Sequence, residues 1–246
     1  MTPFAYEIEE DTRPRLGLIV LQVDETIEQD FRHLFTPDRA RLHVSRVPSG
    51  AELNPDTIAG MAHDLPAATR LLPVAAPLDA VAYACTSGTT LIGADQVHQM
   101  IRANCPARAA TDPLTAALAA CARLGVTRLG IVSPYIASVA VPIRRAFEAA
   151  GLMVPHTLSF GEEIEARVAR IAPASIAEAA RAVASQGGID AVFLSCTNLR
   201  TLDIIAPLEA ELGLPVLSSN QVLAWHMAAL AGITDLPAKA GRLMQS

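Results

Sequence analysis

The sequence predicts an α/β protein made of two pseudo-symmetric half-domains, each a small parallel sheet wrapped by helices, with the active site in the cleft between them. Three observations carry this expectation. Apolar runs of strand length alternate with helical stretches of roughly 10–15 residues, the pattern of βαβ units and parallel sheets. A thirteen-residue stretch is written twice, as DAVAYACTSGTTL at 79–91 and DAVFLSCTNLRTL at 190–202, with seven positions identical. A second pair, RLGLIV from Arg15 and RLGIVS from Arg128, stands at nearly the same offset as the first. One short apolar match arises easily by chance, whereas two collinear matches are the mark of a duplicated unit.

The elements follow in order. Residues 16–23 (LGLIVLQV) read as the first strand, ending at Asp24, and residues 28–34 as a helix. Residues 41–47 alternate as a second strand. Asn54-Pro55-Asp56 starts a helix to about residue 72, with Leu65, Ala68, Leu71 and Leu72 at helical spacing. Residues 79–84 form the strand that carries Cys85, residues 89–103 the next helix and residues 106–110 a short strand. Asp112-Pro113 opens a helix that Gly125 closes, since proline is tolerated in a first turn and glycine suits a helix end. In the second half, residues 128–132 are a strand followed by Ser133-Pro134-Tyr135, 139–150 a helix and 154–160 a strand. Residues 175–185 are a helix, 191–195 the strand that carries Cys196, 204–212 a helix, 215–217 a strand and 221–231 the last full helix. That helix follows a strand equivalent to 106–110, so it is expected to pack back on the first half. The first half-domain is therefore expected to comprise 1–113 and 218–246, and the second 114–217.

Composition bounds the function. Of 246 residues, 51% are hydrophobic and 18% charged, and the mean hydropathy is +0.33, so the chain fills a core. No run approaches the ~18 apolar residues of a membrane span. The acidic start, MTPFAYEIEEDTRPR, reads as an extended or poorly ordered arm rather than a signal peptide. A net charge of −6 with no Lys/Arg run argues against nucleic acid. The four cysteines, Cys85, Cys105, Cys121 and Cys196, lack any CxxC spacing, which points to free thiols and the cytoplasm. The six histidines share no ligand spacing, and no GxGxxG, Walker or GxSxG motif is present, so no metal or coenzyme is expected.

The chemistry centres on the repeated Cys-Thr step. The carboxyl end of a buried parallel strand is where open α/β sheets place ligands. Two equivalent thiols facing one cleft can take a proton from one face of a small molecule and return one to the other; the same arrangement allows a thiolate nucleophile opposite a proton donor. Both Cys-Thr steps are expected to lead into helices whose field lowers the thiol pKa. Cys105, in a turn, and Cys121, mid-helix, read instead as small buried hydrophobes. Thr86, Ser87, Thr197 and Asn198 offer hydroxyl, amide and backbone N–H groups to a carboxylate, or cap helices. Tyr135 donates to an oxyanion or packs as an interface aromatic. Asp24 holds an amine or another polar group, or caps the next helix. Asp203, Glu162, Glu163 and Glu165 read as solvated faces, with the loop at 161–167 placed to lid the cleft. A non-catalytic carboxylate-binding protein would use the same residues without turnover.

These segments resemble the aspartate/glutamate racemase superfamily over essentially the whole chain after the N-terminal arm. The carriers are GLIVLQVDETIE, LDAVAYACTSGTTLIG, IVSPYIASV, EARVARI, DAVFLSCTNLRTL and LPVLSSNQVLAWHMAALAG. Within it the chain is similar to the maleate isomerase and arylmalonate decarboxylase branch, and LDAVAYACTS and SSNQVLAWH resemble the racemase-like proteins of ectoine utilisation. The resemblance implies Cys85 and Cys196 as a catalytic pair, Thr86, Ser87 and Tyr135 as carboxylate binders, and Thr197 and Asn198 beside the second cysteine. Arylmalonate decarboxylases lack the first cysteine, so its presence here implies two-base or thiol-adduct chemistry over decarboxylation. Maleate isomerases carry Asn where this chain has Asp24, and glutamate racemases carry His where it has Asn198. Both departures argue against those substrates themselves, and Asp24 favours an anion with an attached amine or amidine. The implied function is a cofactor-independent isomerase or racemase of a small carboxylate, an ectoine-derived amino acid or a maleate-like acid, working as a homodimer or larger assembly.

Overall fold

The computed structural model describes residues 3–52 and 54–246. Its order opens β1 (Arg15–Leu21), α1 (Ile27–Leu34), β2 (Arg41–Val47), α2 (Pro55–Arg70), β3 (Leu78–Ala84), α3 (Thr86–Ile92), α4 (Ala94–Asn104), β4 (Ala107–Thr111) and α5 (Pro113–Leu124). It continues β5 (Arg128–Ser133), α6 (Ala137–Ala149), β6 (Met153–Ser159), α7 (Glu165–Val168), α8 (Pro173–Ser185), β7 (Ala191–Leu194), α9 (Leu202–Leu212), β8 (Val216–Ser218) and α10 (Ser219–Ala231), before two 3-10 turns at the C-terminus.

Two four-stranded parallel sheets result, ordered β2-β1-β3-β4 and β6-β5-β7-β8. The strand order is the same in both, which is the architecture expected from the repeat. The repeat also explains how each sheet starts. Asp79 Oδ2 accepts the Arg15 N–H (2.8 Å), and Asp190 Oδ2 accepts the Arg128 N–H (2.9 Å). The duplicated Asp thus holds the first strand of each half against its central neighbour. β3 and β7 are buried along almost all their length, so they are apolar on both faces, as strands covered on two sides must be. In the second half Phe147 of α6 meets Phe193 of β7 edge to face at 5.3 Å.

Helix boundaries follow local chemistry. Asp112 caps α5 by accepting the Leu114 and Thr115 amides, and Gly125 ends it in the left-handed region. Ser218 and Gln221 form a capping box at the start of α10. α10 packs against α5 and β3, and so returns to the first half; α5 packs on α10 and α3.

Three expectations need correction. The helix expected at 89–103 is two helices, because Gly93 takes a φ of 99° and turns the chain between α3 and α4. Such a φ is cheap only for glycine. α3 begins at Thr86, so the residues after Cys85 are helical at once. After Cys196 no helix follows directly: turns occupy the chain until α9 begins at Leu202. The short α7, read as part of a loop, was missed. Of the N-terminal arm, residues 3–14 form no helix or strand and expose Phe4, Tyr6 and Ile8; its first two residues lie outside the described ones. Among the described residues no helix is long and apolar enough to cross a membrane.

Candidate active site

Each half delivers its cysteine at the carboxyl end of the strand third in its sheet order. Cys85 follows β3 and caps α3, its Sγ accepting the Gly88 N–H at 3.1 Å with Ser87 Oγ 3.5 Å away. Cys196 follows β7 through Ser195, and its Sγ accepts the Asn198 N–H at 3.4 Å. Each thiol therefore receives one backbone amide from the turn it begins.

The two strand ends are tied together. Thr86 Oγ1 and Ser219 Oγ are 2.8 Å apart, and Ser219 Oγ in turn accepts the Cys196 N–H at 3.1 Å. Thr197 donates to the Ala84 carbonyl at 3.4 Å. Asn220 Nδ2 donates to the Thr197 carbonyl (2.9 Å) and to Asp30 Oδ2 (2.8 Å). The start of α10 is thus wedged between the Cys85 and Cys196 loops. Tyr135, in the loop after β5, lies beside Cys196 and within electrostatic reach of both thiols. Burial, then the charges those sulfurs would carry, push its phenol well above its ordinary value. Tyr83 on β3 donates to Met61 Sδ at 3.4 Å and also lies against Cys85.

Asp24 ends the first strand's loop. Its Oδ1 accepts the Thr26 and Ile27 amides at 2.8 and 2.9 Å, so it caps α1, while Oδ2 is buried without a hydrogen-bond partner. Asn198 reaches across from the second half: its Oδ1 accepts the Glu25 N–H (2.9 Å), its carbonyl accepts the Thr26 hydroxyl (2.9 Å), and its Nδ2 donates to Glu165 Oε2 (2.8 Å). The structure thereby gathers the eight sequence-predicted residues, Asp24, Cys85, Thr86, Ser87, Tyr135, Cys196, Thr197 and Asn198, at adjoining strand ends. All eight are buried. A cavity of about 260 Å³ opens beside them between α1 and α9, lined by Thr26, Asp30, Arg200 and Asp203; neither thiol lines it.

Glu165 corrects the reading of the acidic run as solvated. Glu163 is partly exposed, but Glu165 is 2% exposed. It sits on α7, in a segment that straps the two halves. Its N–H donates to the Ala51 carbonyl (3.0 Å), Ile164 forms an antiparallel bridge with Glu52, and Arg170 pairs with Glu25 at 2.8 Å. Burial raises the Glu165 carboxyl to about 7, the Asn198 amide opposing and the Asp24 charge adding. Burial likewise raises Asp30 to about 7 and pushes Asp24 up.

The electrostatics also correct the expected acidic thiols. Burial pushes Cys85 up to about 11 and Cys196 well above its usual value, and the Glu165 charge adds to both. α3 is a single seven-residue helix and Cys196 has none directly behind it, so the amides that reach the sulfurs do not outweigh desolvation. Desolvation therefore favours the protonated form of both thiols. Cys105 and Cys121 are buried and free, and burial raises Cys121 to about 12. His98 pairs with Asp112 and His226 with Thr111, both at 2.8 Å, at the end of β4. Among the described residues no three His, Cys, Asp or Glu side chains gather as a metal site requires.

Sequence reasoning missed Glu165, Ser219, Asn220 and Asp30. Asp30 left a signal: it falls on the same helical face as Ile27 and Leu34, both buried. Ser219 and Asn220 directly follow a strand end, where polar side chains merit attention. Glu165 left none, because its burial comes from contacts with Ala51 and Asn198, distant in sequence.

The profile of the arylmalonate decarboxylase family matches residues 55–244. Arylmalonate decarboxylase of Bordetella bronchiseptica is 32% identical over 123 residues, which is 50% of this chain and 51% of that protein. The match therefore spans about half the length of that curated relative. The maleate isomerase Iso from Pseudomonas putida S16 superposes with a TM-score of 0.84 at 20% identity, covering 95% of this chain and 98% of that one. A Nocardia farcinica maleate cis-trans isomerase mutant with a covalently bound succinylcysteine intermediate superposes with a TM-score of 0.85 at 21% identity, covering 95% and 99%. At these identities the structural likeness establishes the shared fold.

Proposed function

The chain belongs to the arylmalonate decarboxylase family, and on that premise we propose that it is a cofactor-independent isomerase or racemase that turns over a small carboxylate between Cys85 and Cys196. The observation that carries this reading is the pair of thiols at equivalent strand ends, joined through Thr86, Ser219 and the Cys196 amide, with Tyr135 and Glu165 in reach of both. In racemisation one sulfur, as thiolate, takes the proton next to the substrate carboxylate, and the other thiol delivers its own proton to the opposite face. In cis-trans isomerisation a thiolate adds to the double bond and the second thiol protonates the neighbouring carbon. Rotation follows, and elimination returns both sulfurs to their starting states. Each thiolate is stabilised by the amide it already accepts, from Gly88 or Asn198. Thr86, Ser87, Tyr135, Thr197 and Asn198 hold the carboxylate, and the negative charge that develops on it is met by the Tyr135 phenol.

The LDAVAYACTS and SSNQVLAWH segments support an ectoine-derived amino acid as substrate, with a maleate-like acid second. Four free cysteines support a reducing, cytoplasmic setting. The resemblance to the racemase superfamily and the apolar composition support a homo-oligomer. Family membership favours a second reaction, decarboxylation of a malonate-type acid. Incubation of the protein in heavy water with amino acids, maleate, ectoine, its ring-opened forms and a phenylmalonate separates the readings by NMR. Deuterium incorporation or geometric isomerisation without carbon dioxide release is expected. Carbon dioxide release from the malonate assigns the second reaction instead, and inertness toward every acid removes both.

A further inference from the structure

Two carboxylates that the two-thiol reaction does not use lie in the same buried cluster, one from each half. Asp24 is 4% exposed and Glu165 2%. They lie within electrostatic reach of each other and of Cys196. Asp24 Oδ1 is fully engaged with the α1 amides, and Oδ2 has no partner. The Thr197 hydroxyl donates to the Ala84 carbonyl at 3.4 Å and is near enough to Asp24 to lower its carboxyl somewhat, but burial outweighs it and the hydroxyl makes no hydrogen bond of normal length to Oδ2. The nearby guanidiniums are committed elsewhere. Arg46 donates to the Leu21, Gln22 and Asp24 carbonyls and pairs with Glu28; Arg170 pairs with Glu25 at the surface. A buried carboxylate oxygen without a donor is expensive, and it is relieved by a proton or by a cation that enters with the substrate.

We propose that Asp24 and Glu165 form a cation-binding subsite beside the two thiols, which holds a protonated nitrogen, ammonium or amidinium, on the same small acid whose reacting carbon lies between the sulfurs. The inference rests on the two-thiol reading and narrows it to amino or amidino acids. Asn198 sets the spacing, bound to Glu165 through Nδ2 and to the Asp24–Thr26 loop through Oδ1. A dicarboxylate without nitrogen would bring its charge against both acids. A cation there neutralises the charges that oppose ionisation of Cys196, so arrival of the correct substrate itself favours thiolate formation. Glu165 rides on the strap that joins the halves at Ala51 and Glu52, so the cation is also bound by the segment that closes the site.

Calorimetry with L-aspartate, L-2,4-diaminobutyrate and the nitrogen-free succinate tests the subsite, with NMR exchange in heavy water run on the same samples. At least one amino acid is expected to bind roughly tenfold or more tighter than succinate, as a charge-assisted contact allows. Asp24→Asn, which keeps the α1 cap, and Glu165→Gln, which keeps the Asn198 contact, are each expected to remove that preference. Equal affinity for amino acids and succinate, no amino-acid binding, or equal weakening of both classes in the variants overturns the subsite. Exchange without nitrogen preference leaves the thiol chemistry standing and removes only the cation; binding with preference but without exchange does the reverse.

Discussion

Glu165 makes the folded protein sensitive to pH in a direction opposite to a surface carboxylate. In the unfolded chain it releases its proton near its ordinary value of 4.5, whereas burial in the fold holds the proton to about pH 7. Between those values the unfolded state binds fewer protons, so stability falls as pH rises and levels off above about 7. Each tenfold change in proton affinity is worth about 1.4 kcal/mol. The interval from 4.5 to about 7 therefore withdraws about 3 kcal/mol. Asp30 acts in the same sense from 3.8 to about 7, and Asp24 strengthens both through its charge. Glu165→Gln removes one ionisation while its side-chain carbonyl still accepts from Asn198. Urea denaturation at pH 5, 6, 7 and 8, followed by Trp225 fluorescence and circular dichroism, reads the difference. The variant is expected to lose about 2–3 kcal/mol less than the parent between pH 5 and 8, part of the effect already having been lost below pH 5. Parallel stability curves would show that Glu165 is solvated or paired with a cation, and would refute the buried-acid cluster.

Other consequences are equally direct. A methyl on Gly88 would lie 2.5 Å from the Tyr83 hydroxyl and 2.9 Å from Cys85 Sγ. Gly88→Ala is therefore expected to cost about 1–3 kcal/mol in thermal unfolding and to displace the thiol, with turnover falling along with it. Asp190 Oδ2 accepts from the Thr127 amide and hydroxyl and from the Arg128 amide. Asp190→Ala is expected to cost about 1–3 kcal/mol in denaturant while binding at the distant strand ends persists; loss of binding with unchanged stability would contradict the clamp. In a thiol-labelling time course at pH 8, all four cysteines are expected to react on unfolding, while Cys85 and Cys196 in the native protein lag by roughly a hundredfold or more. A fast native burst at either would contradict their burial. Ser219→Ala breaks the link between Thr86 and the Cys196 amide, and its kcat is expected to fall more than its KM rises; an unchanged kcat would make that link irrelevant.

The architecture was legible because duplication leaves a record that composition cannot blur. The Asp that clamps β1 recurs as the Asp that clamps β5, and both appear in the aligned stretches. Helix ends with strong local chemistry, Asp112 and Gly125 above all, were equally readable. The break at Gly93 was not, since a glycine inside a helical pattern is read as tolerated until its backbone angle is seen. The acidity of the thiols was misjudged for a physical reason: sequence shows the helix that follows a cysteine but not how completely water is excluded from the sulfur. Glu165 was lost among neighbouring acids because its partners, Ala51 and Asn198, are brought to it only by the packing of one half on the other.

The shared use of one substrate by two thiols is tested most directly by hydrogen exchange in heavy water with the parent protein, Cys85→Ser and Cys196→Ser, each shown by circular dichroism to be folded. With an acid that the parent labels at the carbon beside its carboxylate, each single variant is expected to lose turnover by at least roughly a thousandfold. A variant that keeps the parent's rate at either position would contradict the claim that the two sulfurs act on one small anion.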